Sequence, residues 1–119
     1  MKKTIIAFDV DGTLIKNEPH WECNYIPNNR ICHLLEILSW FKNIKIVVWS
    51  WGGKEHAERA VRECNLEKFV SKNRCYSKNH LWKDGDGNHI FKPDFTPDIA
   101  IDDIQACNLW LLNLIVKEK

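Results

Sequence analysis

Residues 5–15 read IIAFDVDGTLI. A continuous apolar run, Thr4–Phe8, leads directly into Asp9 and Asp11 and then Gly12-Thr13. Its length is that of a strand, and the absence of polar alternation predicts burial on both faces, as in a parallel sheet covered by helices. Two carboxylates at the end of such a strand are costly. A pair of unit charges ~4 Å apart repels by about 1 kcal/mol in water and about 4 kcal/mol at an effective dielectric of 20. The pair is therefore expected to meet a cation.

Outward from this stretch, the pattern alternates. A polar, irregular segment carrying His20, Trp21 and Tyr25 runs to Pro27. Asn28 and Asn29 offer a helix cap, and Ile31, Leu34, Leu35, Leu38 and Phe41 recur at helical spacing, predicting a helix to about Lys42. Ile44–Trp49 is a second β-rich run ending at Ser50, and Trp51-Gly52-Gly53 makes a turn. Lys54 to Cys64 reads as a second helix with Ala57, Ala60 and Val61 inward. Phe69-Val70 and Arg74–Ser77 are pieces of a third strand. Asp84-Gly85-Asp86-Gly87-Asn88, between short apolar pieces, predicts a hairpin. The same five residues begin like a calcium loop, but the twelfth position is Phe95 where a bidentate Glu is required. Pro93 and Pro97 bracket an extended linker, Asp98–Ile101 is a short strand running into Asp102-Asp103, and Asn113–Val116 is a last one. Strands alternating with helices predict an α/β three-layer sandwich: a Rossmann-like parallel sheet with helices on both faces. The chain of 119 residues is expected to form one domain, 1–119, without a separate cap.

Composition removes several function classes. A formal net charge of +1 gives no global field for nucleic acid or an anionic membrane. No apolar run approaches the ~20 residues of a membrane helix. Met1-Lys2-Lys3 has a basic start, but Asp9 and Asp11 interrupt the apolar stretch that a secretory signal needs, so a cytoplasmic protein is expected. The cysteines (Cys23, Cys32, Cys64, Cys75 and Cys107) are odd in number and contain no C-x-x-C, which fits reduced thiols in core positions. His20-Trp21-Glu22-Cys23 has no second pair to complete a zinc site.

Ligands of open parallel sheets bind beyond the carboxyl ends of the strands. There the sequence puts Asp9 and Asp11, then Ser50, then Asp102 and Asp103. Four carboxylates in one crevice, all offering oxygen, point to Mg2+. These residues resemble the haloacid dehalogenase superfamily, whose members are mostly magnesium-dependent phosphohydrolases. Phe8-Asp9-Val10-Asp11-Gly12-Thr13-Leu14 is similar to its first motif, Ile46–Trp49 with Ser50 to its second, and Ile99-Ala100-Ile101-Asp102-Asp103 to its fourth. The resemblance implies a capless phosphatase in which Asp9 is the nucleophile and forms an aspartyl-phosphate. Asp11 would be the general acid and then the base. Asp9, the backbone carbonyl of Asp11, and Asp102 would ligate magnesium, with Asp103 nearby or acting through water. Ser50 would hydrogen-bond a phosphoryl oxygen beside Trp51, helped by N–H groups around Gly52-Gly53. The motif lysine is assigned to Lys92, in Phe91-Lys92-Pro93-Asp94, with Lys78 and Lys83 as alternatives.

Other readings are weaker. In a phosphoacceptor receiver domain the acidic pair ends the first strand and the phosphorylated aspartate lies on a middle one, the reverse of the order here. A non-catalytic phosphate- or partner-binding relative would keep the fold without needing every motif aspartate. The substrate is less legible: a macromolecular, nucleotide or small-metabolite phosphate all suit an open crevice. Residues 68–92 hold Lys68, Lys72, Arg74, Lys78, Lys83 and Lys92 against Asp84 and Asp86, a net of +4, interleaved with Tyr76, Trp82 and Phe91. That composition suits a nucleic-acid end or a solvated basic face. Trp21, Trp49, Trp51 and Trp82 are candidates for an aromatic platform, with Trp49 fitting core better, and His20 and His56 read as ordinary surface or helix residues.

Overall fold

The computed structural model describes residues 2–17, 24–78, 80–83, 86, 89–92, 97–103 and 112–115. Thr4–Asp9 forms strand β1, Ile44–Ser50 β2, Cys75–Ser77 β3, Ile99–Asp102 β6 and Leu112–Ile115 β7. They make one sheet of order β3-β2-β1-β6-β7 in which every pairing is parallel. His80–Lys83 and His89–Lys92, β4 and β5, pair antiparallel as the expected hairpin. The α-helices among the described residues are α1, Asn29–Ser39, and α2, Lys54–Glu63. The protein is thus an α/β fold with a Rossmann-like parallel sheet.

Both helices lie on one face of the sheet. Ile6 and Phe8 of β1 and Ile46 and Val48 of β2 share a core with Ile31 and Leu35 of α1 and Ala57, Ala60 and Val61 of α2. The steps β1-α1-β2 and β2-α2-β3 run the same way across the sheet, so right-handed crossovers send both helices to one side. The alternate residues Ala7, Val47, Trp49 and Ala100 face the other side and are fully buried as well. The second helical layer expected there falls outside the described residues, as do the linker 93–96 and the segment 18–23.

Several boundaries differ from the sequence expectation, those of α2, β3, β6 and β7 by a single residue. The first helix stops at Ser39 rather than near Lys42. Its last turn tightens through N–H donation from Trp40 to Ile37 and from Phe41 to Leu38, three residues back, as the chain turns toward β2. Phe41, matching the helical period, is consequently exposed past the helix end. Phe69-Val70 is a turn, with Val70 buried beneath α2, and only Cys75–Ser77 pairs as β3. A short 3-10 turn, Lys72–Arg74, takes the place of that strand's start.

The position of β6 is fixed at its beginning. Asp98 donates its backbone N–H to the Ile5 carbonyl and accepts the Ile5 N–H on its carboxylate at 2.8 Å. Going out from β1, the chain builds β2 and β3 on one side and β6 and β7 on the other. The switch point, where such sheets open a crevice, lies between β1 and β6. No described helix is long and apolar enough to cross a membrane.

Leu35 is fully buried between α1 and the sheet. Leu35→Ala should lower unfolding stability by about 2–5 kcal/mol in urea titrations. His33→Ala, on the exposed side of the same helix, should stay within about 0.5 kcal/mol.

Candidate functional site

The register of the sheet brings the acidic residues together. Phe8 pairs with Ile101, so Asp9 and Asp102 stand side by side at the ends of β1 and β6. Oxygens of Asp9, Asp102 and Asp103 lie within 4.8 Å of one another, a group able to hold a metal ion. Asp9, Asp11, Asp102 and Asp103, with Asn17 and Trp51, line a cleft of about 200 Å³. The expected acidic constellation is therefore one place in the fold.

Asp9 is held from both ends of its carboxylate. Thr13, fully buried, donates its hydroxyl to Oδ2 at 3.3 Å. Lys78 donates from Nζ to Oδ1 at 2.7 Å and to Asp102 Oδ2 at 2.6 Å. Lys78 follows β3 directly and is 2% exposed, its side chain reaching across β2 past the rings of Trp49 and Trp51. Among the described side chains, the lysine at the carboxylates is Lys78, one of the two alternatives to Lys92. Lys92 is paired with His80 in the hairpin, and its side chain, like that of Lys83, lies outside the described residues. A lysine immediately past a strand's carboxyl end was the available signal, since every acidic site residue occupies such a position. It was hidden because β3 has only three residues.

Lys78 also leaves the basic face of residues 68–92, being buried among acids rather than solvated. Lys68 and Lys72 remain exposed. Among the tryptophans, Trp49 is fully buried, whereas Trp51 is 48% exposed at the cleft. Trp21 and the side chain of Trp82 fall outside the described residues.

Among the described residues, three clustered carboxylates face one ammonium group. Burial pushes the Asp9 carboxyl up to about 8, against the pull of Lys78 and with the charges of Asp102 and Asp103 adding to the rise. Burial likewise raises Asp103 to about 6, helped by its hydrogen bond to Asp102 and by that residue's charge. For Lys78 burial opposes the charge, but Asp9 and Asp102 outweigh it and its pKa is raised. Three clustered carboxylates offering only oxygen could hold a hard divalent cation.

Gly12 permits this approach. Its φ is +80°, and a Cβ there would lie 2.7 Å from Asp103 Cγ and closer still to Oδ2. Only glycine allows both the turn and the contact.

Ser50 ends β2 but is turned inward, 1% exposed, and accepts the Gly52 N–H on its hydroxyl at 2.9 Å. The Gly53 N–H donates to the Ser50 carbonyl. The amides expected to face a phosphate are engaged by Ser50 itself, and neither Ser50 nor Gly52 lines the cleft. Trp51, between them, does.

One residue read as ordinary belongs to the site. His56, in the first turn of α2, hydrogen-bonds Asp11 Oδ2 through Nε2 at 3.0 Å and the Tyr25 hydroxyl through Nδ1 at 2.8 Å. The sequence separates these three residues widely, and only the packing of α2 over the loop after β1 joins them.

The family model described as "Protein of unknown function (DUF705)" matches residues 1–91, and the chain belongs to that family. No curated protein and no solved structure matched the chain.

Two outcomes follow from the buried charges. Lys78→Met strands the carboxylates without their counter-ion and should cost about 3–5 kcal/mol of stability in metal-free buffer, measured by urea unfolding. A folded-state carboxyl pKa above its unfolded value gives stability that is present below pH ~4 and lost as pH rises through the folded value. Melting curves in EDTA should therefore show Asp9→Asn gaining on the wild type as pH rises from about 4 to about 8.

Proposed function

We propose that the protein is a magnesium-dependent phosphomonoesterase working through an aspartyl-phosphate on Asp9. The observation that carries this reading is the buried carboxylate of Asp9, fixed by Lys78 and Thr13 next to Asp102 and Asp103 at the floor of a cleft. A nucleophile for phosphoryl transfer needs fixed orientation, nearby positive charge and access from one side. The switch-point location and the resemblance of the three motifs to those of haloacid dehalogenase phosphatases add support.

In the first step an Asp9 oxygen attacks phosphorus as the bond to the leaving oxygen breaks, and Asp11 gives that oxygen a proton. In the second, the Asp11 carboxylate takes a proton from water as water attacks phosphorus and Asp9 is released. Lys78 donates to Asp9 throughout, and its charge disfavours protonation of the nucleophile. The side chains of Asp9, Asp102 and Asp103, with the Asp11 carbonyl, would hold magnesium. Bound there, the ion would supply the charge that keeps Asp9 ionised and offsets that of the transferring phosphoryl group.

Asp9 and Asp11 differ in environment, which suits their different tasks. Asp9 is buried, whereas the Asp11 side chain is 47% exposed at the cleft. Trp51 offers a flat apolar surface to the part of the substrate beyond the phosphate, and Lys68 and Lys72 offer positive charge elsewhere on the surface. A nucleotide or nucleic-acid end is the substrate class these features favour. Reduced thiols at Cys32, Cys64 and Cys75 suit a cytoplasmic location.

Hydrolysis of p-nitrophenyl phosphate in magnesium tests the chemistry. Asp9→Asn should lose at least ~10³-fold in kcat, and Asp11→Asn about 10²–10⁴-fold. EDTA should silence the wild type, and calcium should restore it poorly because it prefers looser, higher coordination. Near-normal turnover by Asp9→Asn would rule out the covalent route. Inactivity of the wild type on aryl, nucleotide and oligonucleotide phosphates alike would leave a binding module. Oligonucleotides hydrolysed no better than sugar phosphates at low and moderate salt would remove the nucleic-acid substrate.

A further inference from the structure

We infer that His56, braced by Tyr25, is the positioning residue for Asp11, holding its carboxyl where it can protonate the leaving oxygen; the inference rests on the phosphatase reading above. The Asp11 side chain is nearly half exposed, so without a partner it would sample several rotamers. A general acid must stay within hydrogen-bond reach of the atom it serves. His56 Nε2 meets Asp11 Oδ2 at 3.0 Å and removes that freedom, leaving Oδ1 to carry the transferred proton.

The donor and acceptor roles follow from the chemistry of the three groups. With the Asp11 proton either absent or carried on Oδ1, Oδ2 can only accept, so the His56 proton is on Nε2. In a neutral imidazole Nδ1 then accepts, and the Tyr25 hydroxyl donates to it at 2.8 Å. Tyr25 thereby fixes both the tautomer and the plane of the ring.

Two features of the backbone are explained by this chain of contacts. Tyr25 has φ +52°, a conformation costly for a bulky residue, and it is held there with its hydroxyl on His56 and the Arg59 guanidinium 4.6 Å above its ring. Arg59 lies three residues after His56 on α2, so one helix supports both the imidazole and its brace. At Gly52 a Cβ would come within 2.9 Å of His56 Cδ2. The turn after β2 is thus kept bare where the ring passes. The tie joins the start of α2 to the loop after β1 and to residues 24–28, two segments that also pair with each other through Ile15 and Pro27 and through the Lys16 N–H on the Ile26 carbonyl.

Leaving-group dependence separates positioning of the acid from general support of the fold. A p-nitrophenolate leaves with little help, whereas an alkoxide needs the proton. His56→Ala should lower kcat/KM for an alkyl phosphate such as glycerol phosphate at least ~10-fold more than for p-nitrophenyl phosphate. His56→Gln, which keeps an N–H near the position of Nε2, should recover most of the alkyl-phosphate loss. Tyr25→Phe should show the same selectivity at a few-fold. Equal losses on the two substrates with an active wild type, or no recovery in a folded His56→Gln, would overturn the positioning role while leaving the phosphatase reading intact. A wild type inactive on both substrates would overturn the phosphatase reading and this inference with it.

Discussion

The ammonium group of Lys78, buried between Asp9 and Asp102, is the interaction around which the carboxyl edge of the sheet is arranged. A charge so enclosed is tolerable only when paired and hydrogen-bonded, and breaking such a pair costs more than forming it gains. Lys78 comes from β3, Asp9 from β1 and Asp102 from β6. The ion pairs therefore join strands on both sides of the switch point. They require β3 to stop at Ser77, so that the next residue can turn its side chain across β2.

Asp9 and Asp11 are two residues apart and live in different surroundings. Asp9 is fixed from inside the protein by Lys78 and Thr13. Asp11 is fixed from outside the strand, by His56 of α2 and through it by Tyr25. Environment, rather than residue type, separates the tasks that two carboxyl groups can perform. The turn that makes this possible depends on Gly12, whose positive φ and missing Cβ let Asp103 close in beneath it.

The acidic residues were legible in the sequence because they sit where apolar runs end, and a parallel sheet gathers those ends at one edge. The two helices were legible from apolar spacing, although Phe41 extended the period of α1 beyond the point where the chain turns. Lys78 was harder to choose. Phe91-Lys92-Pro93 offers a better local match than a lysine after a three-residue strand, and sequence carries no measure of which lysine can reach Asp9. His56 gave less signal still. Its spacing within α2 is that of any helical residue, and its partners are 31 and 45 positions away.

The sequence by itself determined the alternation of buried strands and amphipathic helices, and with it a parallel α/β sheet with a cluster of aspartates at its carboxyl edge. Those features depend on local periodicity and on the cost of ending apolar runs in charge. Only the tertiary structure decided which lysine reaches Asp9 and Asp102, which amides Ser50 has already engaged, and which imidazole holds Asp11. Each of these depends on the register between strands and the seating of α2, set by the packing of the whole core. A long side chain such as that of Lys78 can be placed only once the distance across β2 is known.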